Sequence, residues 1–159
     1  MKVNWRIIKL GELFYIIKGK SVPLRNRIKG EIPYIGSSLY NNGIIDFISN
    51  DSNSLQQNFL SLNSNGSVGE CFYHPYSCLV SCDVKRLFLK NKVKNKYIYL
   101  FLKTCILKQK EKYSYGYKFN EERMKQQKIK VPMTENNEVD YSYMENYMRS
   151  IEKKLLLKK

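Results

Sequence analysis

A chain of 159 residues fits one domain with room for an appended element, and it can bury a core without metal or disulfide staples. Its 43% hydrophobic residues, with 13 Tyr and 7 Phe, exclude a disordered tail. Lysine and arginine number 28 against 14 acidic residues, and the formal net charge of +14 points to a polyanionic partner, nucleic acid first.

In chain order, residues 5–17 place Leu10, Leu13, Phe14 and Ile17 at helical spacing and turn β-branched toward the end. That pattern predicts a short helix feeding a strand, stopped by Lys18-Gly19-Lys20. A basic loop follows, with Arg25, Arg27 and Lys29 around Pro23 and Gly30, and it suits either solvent or phosphate. A strand through Ile32, Pro33, Tyr34 and Ile35 leaves through the small residues Gly36, Ser37 and Ser38. Asn41-Asn42-Gly43 is a tight-turn signal, since Asn-Gly readily takes positive φ, and 44–48 reads as the next strand. Residues 51–58 are polar and predict a loop. Strands at 59–62 and 68–73 bracket the turn Asn63-Ser64-Asn65-Gly66, and alternation over 78–89 predicts one further strand. Short strands with Gly, Asn and Pro punctuation suggest a curled β-rich body.

The character changes near Lys96, where Tyr97, Leu100, Phe101, Thr104 and Leu107 predict an amphipathic helix through about Lys110. Residues 112–132 then combine a tyrosine-glycine-basic loop, a helix start and a short apolar strand ending at Pro132. Tyr113, Tyr115 and Tyr117 alternate with Gly116 and Lys118, a composition that stacks on bases and pairs with phosphates, or packs as a hairpin on its own domain. Asn120 caps a helix with Glu121 and Glu122 in its first turn, expected to run to about Lys128. After a polar connection, Asp140 caps a last helix. There Tyr141, Met144, Met148, Ile151 and Leu155 recur at intervals of three and four, a coiled-coil seam that suits a partner helix or the protein's own body.

No apolar run is long enough to span a bilayer, and the start MKVNWRIIKLGELF lacks the features of a signal peptide, so the expected location is cytoplasmic and the four cysteines are expected as reduced thiols. Cys71, His74, Cys78 and Cys82 invite a zinc reading. On a continuous strand, however, Cys78 and Cys82 stand roughly 13 Å apart, too far for one tetrahedral ion, and no second histidine exists, so no metal is expected. Glu70 with Asp83 and Lys85 faintly resembles the acidic-lysine set of metal-dependent nucleases, though an acidic-x-Lys triplet is common by chance in so lysine-rich a chain. Neither a glycine-rich phosphate loop nor a G-x-S-x-G elbow is present, which favours a binding module over an enzyme and implies no cofactor.

Trp5 with KLGELFYIIKGK, then GEIPYIGSS, NNGI, LSLNSNGSVGECFYH, SCDVKRL and KYSYGYKFNEERMKQQKIKVP follow one another in a distinctive order, closed by DYSYMENYMRSIEKKL. Taken together they resemble the target-recognition domain of a restriction-modification specificity subunit, of the type I and related two-subunit systems. The resemblance implies a non-catalytic reader of one half of a split duplex DNA site. Methylation, and cleavage where a nuclease is attached, fall to partner subunits that dock on its helix. The implied fold is α+β, a curled β-helix-like body over 1–133 followed by a linker and spacer or dimerisation helix over 134–159. With one recognition domain and one helix, the chain fits a half-subunit that dimerises, a fragment of a longer chain or a stand-alone cassette.

Base-edge contacts are expected from Lys20, Arg25 and Arg27, from Ser37, Ser38, Asn41 and Asn42, and from Asn63 and Asn65, since arginine can bridge guanine and asparagine adenine in the major groove. Lys112, Tyr115, Lys118 and Arg123 are expected on the phosphate backbone. The competing readings are a metal-dependent nuclease using Glu70, Asp83 and Lys85, and a general basic protein that binds RNA or anionic membrane.

Overall fold

The chain opens with a strand where a helix was expected. In the computed structural model, which describes residues 3–50, 55–113 and 119–158, β1 (Asn4–Lys9) precedes a single helical turn, α1 (Leu10–Leu13), and β2 (Phe14–Lys18). β1 pairs antiparallel with β9 (Lys128–Met133), with Trp5 opposite Pro132 and Ile8 opposite Ile129. Pairing with a strand from the far end of the sequence is invisible to local periodicity and overrides it. The helical spacing of Leu10 and Leu13 survives in α1, where both are buried.

Two further sheets build the body. A four-stranded antiparallel sheet has the order β2-β8-β5-β6, from β5 (Phe59–Asn63), β6 (Cys71–His74) and β8 (Val84–Leu89). A three-stranded sheet has the order β4-β3-β7, from β3 (Lys29–Ile35), β4 (Ile44–Ile48) and β7 (Leu79–Val80), with β3 and β7 parallel. The single strand expected over 78–89 is therefore two strands in different sheets. Between them Ser81 donates its amide to the Ile35 carbonyl at 2.8 Å and Val84 donates to Ser81 at 3.2 Å, which turns the chain. Alternation gave no warning because β7 and nearly all of β8 are buried.

The helices cover the central sheet. Asn95 caps α2 (Lys96–Leu107), its Oδ1 accepting from the amides of Tyr97 at 3.0 Å and Ile98 at 3.1 Å. α2 packs on β5, β6 and β9, burying Ile98, Leu102 and Ile106. Asn120 accepts from the Arg123 amide at 2.9 Å to start α3 (Glu121–Gln126), which packs against α1. Asp140 accepts from the Tyr143 amide at 2.8 Å to start α4 (Tyr141–Leu156), which packs on α2 and β9. The caps expected at Asn120 and Asp140 are both present, and the architecture is α+β with a C-terminal helix.

The core is divided. Its main body joins Leu10, Phe14, Leu60, Leu62, Leu87, Ile98, Phe119 and Met144, while smaller groups lie around Ile35, Phe59 and Val84 and around Tyr34, Ile48 and Leu79. The β3 sheet thus rests on modest cores of its own, away from the helices. Among the described residues no helix is long and apolar enough to cross a membrane.

Candidate nucleic-acid interface

Loops at one end of the two larger sheets are tied to one another through side chains. The Asn65 amide donates to the Asp83 carboxylate at 3.2 Å, and the Ser64 hydroxyl donates to the Asp83 carbonyl at 2.8 Å. Ser37 donates to the Asn65 carbonyl, and Asn63 donates to the Ser38 carbonyl at 3.1 Å. Ser21 donates its hydroxyl to the Cys82 sulfur at 2.9 Å and accepts the Cys82 amide at 3.1 Å. Lys20, adjacent to it, is anchored by its own amide on the Val80 carbonyl at 2.8 Å and leaves its side chain exposed. The segments carrying Lys20, Ser37, Ser38 and Asn65 are therefore one surface, brought together from distant parts of the sequence.

The expected readers divide by burial. Lys20, Arg25, Asn41 and Asn65 are exposed, and Ser37 and Ser38 are partly exposed. Asn63, expected at the base edge, is instead fully buried with its Oδ1 unpaired, so its place is beneath the loops as a brace for Ser38. Asn42 is also spent internally, donating to the Tyr73 carbonyl at 3.1 Å and to the Tyr76 phenol at 2.9 Å. Asn41, Asn42 and Gly43 all take positive φ, as the Asn-Asn-Gly sequence foretold.

Arg27 is held rather than presented. Its Nη1 lies 3.1 Å from the Asp46 carboxylate, its Nε donates to the Val22 carbonyl at 3.1 Å, and its Cζ sits 4.7 Å over the Tyr34 ring. Arg25, two residues earlier on the turn Leu24–Asn26, is exposed. Of the two arginines, Arg25 is thus the one left exposed, while Arg27 is engaged inside the loop. Asp46 and Tyr34 were missed as supporting residues, because nothing local in either stretch announces a partner across the β3–β4 hairpin.

Lys112 and Arg123 are both exposed, on the short turn Lys110–Lys112 and on α3, and they flank residues 114–118. Tyr115 and Lys118 lie outside the described residues. Lys110 pairs with Glu70, which sits just beyond the Asn63–Gly66 turn, so the Lys112 segment adjoins that turn. Burial lowers the pKa of Lys85, and nearby Lys18 adds to that effect; its ammonium donates to the Ser64 hydroxyl and the Cys82 carbonyl, both at 3.3 Å.

The residues that suggested zinc do separate jobs. His74 is fully buried, its ring nitrogens 2.8 Å from the Ser61 hydroxyl and 3.1 Å from the Tyr76 phenol, and burial lowers its pKa to about 4. Burial pushes the Cys71 and Cys78 thiols up to about 12. Among the described residues no group of three or more His, Cys, Asp and Glu side chains is placed to hold a metal ion. The nuclease trio is likewise dispersed over different contacts: Glu70 pairs with Lys110, Asp83 accepts from Asn65, and Lys85 bonds Ser64 and Cys82.

The model of the type I restriction modification DNA specificity domain family matches residues 2–158. The chain belongs to this family. The specificity subunit S.BcgI of a type II restriction enzyme from Heyndrickxia coagulans is 46% identical over 97% of the chain and 45% of its own length. Among solved structures, the S subunit of a type I restriction-modification system from M. genitalium superposes with a TM-score of 0.67 at 20% identity, over 95% of the chain and 40% of that subunit. The HsdS subunit from Thermoanaerobacter tengcongensis gives 0.65 at 15% identity, over 96% of the chain and 38% of its own. The specificity-domain chain therefore spans less than half the length of these relatives and shares the fold of the two solved ones.

Within this specificity domain the expected helix seam is split. Met144 is fully buried in the main core and Tyr141 packs partly buried against it, so the first half faces the protein's own body. Met148, partly buried, packs against that core too, and with Ile151 it lines a groove of about 690 Å³ whose wall includes Trp5, Phe101 and Tyr147. Leu155 is 62% exposed, and Leu156 and Leu157 beside it are exposed too.

Proposed function

We propose that this chain is the DNA sequence-specificity module of a restriction-modification system. It reads one half of a bipartite duplex site and directs partner methyltransferase subunits, with a nuclease subunit where the system has one. The observation that carries the proposal is the union of Lys20, Ser37, Ser38 and Asn65 on one braced loop surface, beside exposed Arg25, in a chain of net charge +14 that belongs to the specificity-domain family. Preorganised side chains suit base reading, because a rigid donor loses little entropy on binding. Phosphate contacts from Lys112 and Arg123, and from Tyr115 and Lys118 of 114–118, fix register without specifying sequence.

In this reading 1–133 is the recognition domain, with a curled, β-helix-like wrap supported by the parallel crossover that returns β7 beside β3, and 134–159 is linker and spacer helix. The module works in the cytosol, performs no catalysis and needs no cofactor. The end of the α4 seam from Ile151 to Leu155 pairs with a second helix, in a homodimer or in the remainder of a longer subunit. A single exposed seam is self-complementary under two-fold symmetry, which favours the homodimer for the chain alone.

The test is selection from a randomised duplex DNA library, at low salt and again near about 0.15 M, because nonspecific phosphate binding falls steeply with salt. A short enriched motif that survives the higher salt is expected. Failure to enrich any motif, both alone and with the cognate methyltransferase subunit, would sink the proposal.

A further inference from the structure

The tip of the basic loop is apolar, and it is held rigidly from both sides. Leu24 is 76% exposed, and across from it on β4 Ile45 and Phe47 are 45% and 49% exposed. Together with Arg27, Lys29 and Asp46 they line a cleft of about 800 Å³. Asn26 donates its amide to the Pro23 carbonyl at 2.8 Å and Arg27 donates to Leu24 at 3.1 Å, closing the turn. From the other side Asn50 accepts the Ile28 amide at 2.9 Å and donates to the Asn26 carbonyl at 2.8 Å. Leu24 therefore gains little from burial in its own fold, while the turn that carries it is closed by these backbone and Asn50 hydrogen bonds. A single exposed leucine needs no explanation, but Leu24, Ile45 and Phe47 together form one exposed apolar strip lining the cleft, and such a strip marks a contact surface.

Charge indicates what covers this face. Lys29 lines the cleft and is exposed, Arg25 is exposed beside Leu24 in the chain, and Asp46, the acidic side chain lining the cleft, is already paired with Arg27. An apolar strip inside a basic rim matches duplex DNA better than another basic or neutral protein. On the major-groove edge of the bases the apolar feature is the C5-methyl group of thymine. We propose that Leu24, supported by Ile45 and Phe47, reads the C5-methyl of a thymine in the target half-site, making Leu24 a specificity-determining residue. This rests on the reading of the chain as a DNA sequence reader.

The methyl group is common to thymine and 5-methylcytosine, so the test uses libraries that contain no 5-methylcytosine. The 159-residue chain is used to select from two randomised duplex libraries, one made with thymine and one with deoxyuridine at every thymine position. The expected result is a motif with at least one thymine that is preferred in the first library and about fourfold less retained as uracil in the second, the worth of one buried methyl. Leu24→Ala should keep the rest of the motif and lose the discrimination between thymine and uracil, and Leu24→Ser should do the same. Equal motifs from both libraries with the unaltered chain overturn the thymine assignment while leaving sequence reading intact. Uracil sensitivity that survives both substitutions places the methyl contact elsewhere and also overturns the assignment to Leu24. No motif from either library, both with the chain alone and with the cognate methyltransferase subunit added, overturns the sequence-reader proposal and this inference with it.

Discussion

The side-chain amide of Asn42 donates to the Tyr76 phenol at 2.9 Å, and that phenol lies 3.1 Å from Nδ1 of His74. A surface turn is thereby hung from a fully buried histidine. Asn42 adopts φ 54 and ψ 30, the left-handed region where glycine is at ease and alanine is strained. Asn42→Ala should lose both the hydrogen bonds and the backbone fit, costing about 2 kcal/mol, and Asn42→Gly should cost less because it keeps the conformation. Urea unfolding of the two variants ranks them, and a glycine variant less stable than the alanine one would show that the turn is not held this way.

The same histidine sets a pH dependence. The unfolded chain takes up the His74 proton below about pH 6.5, whereas in the folded chain burial lowers the pKa to about 4. The stabilisation from the neutral ring is complete above 6.5 and drains as pH falls from 6.5 toward 4, by at most about 3 kcal/mol. His74→Gln should be less stable at pH 7 but flatter between pH 6.5 and 5. Denaturation series of both chains over that interval read the difference directly.

Asp46 gives a test in which electrostatics and positioning oppose each other. Removing a carboxylate from so basic a face should, by charge alone, tighten DNA binding. If Asp46 instead serves by holding Arg27 and the loop, Asp46→Ala should raise nonspecific retention at low salt while weakening selective retention near about 0.15 M salt several-fold. The loss of folding stability should stay at about 1 kcal/mol, since the ion pair is part-exposed. An unchanged selected motif and unchanged selective retention would remove Arg27 and Asp46 from the reading apparatus.

Arg25 and Lys112 should fail differently. Arg25→Ala should relax preference at one position of the selected site by about 1 to 3 kcal/mol, while Lys112→Ala should weaken all sequences alike and reduce the salt slope by about one. Binding titrations against the selected site and its single-base variants, at several salt concentrations, separate these patterns. A changed base preference in Lys112→Ala would reverse the roles.

The two halves of the α4 seam make opposite predictions. Met144→Ala opens a cavity in the main core and should cost about 2 to 5 kcal/mol. Leu155→Glu, on the exposed end, should leave folding stability within about 0.5 kcal/mol. If the chain forms the proposed homodimer, the Leu155 change should shift it toward monomer in sedimentation; a monomer already present in the unaltered chain at high concentration would exclude that dimer.

What the sequence determined by itself is local. The caps at Asn120 and Asp140, the positive φ values of 41–43, the hairpin that pairs Phe59 with His74, and the helices after Asn95 and Asp140 all follow from side chains acting within a few residues of themselves. Order and spacing of whole segments also carried the family, because that signal is spread along the chain. Tertiary structure alone decided the pairing of β1 with β9, the division of 78–89 between two sheets, and the burial of Asn63. It also decided that Arg27 faces inward to Asp46 and Tyr34 while Leu24 faces out. Each depends on a partner distant in sequence, and propensity yields to such a partner whenever pairing or burial is worth more than the local preference.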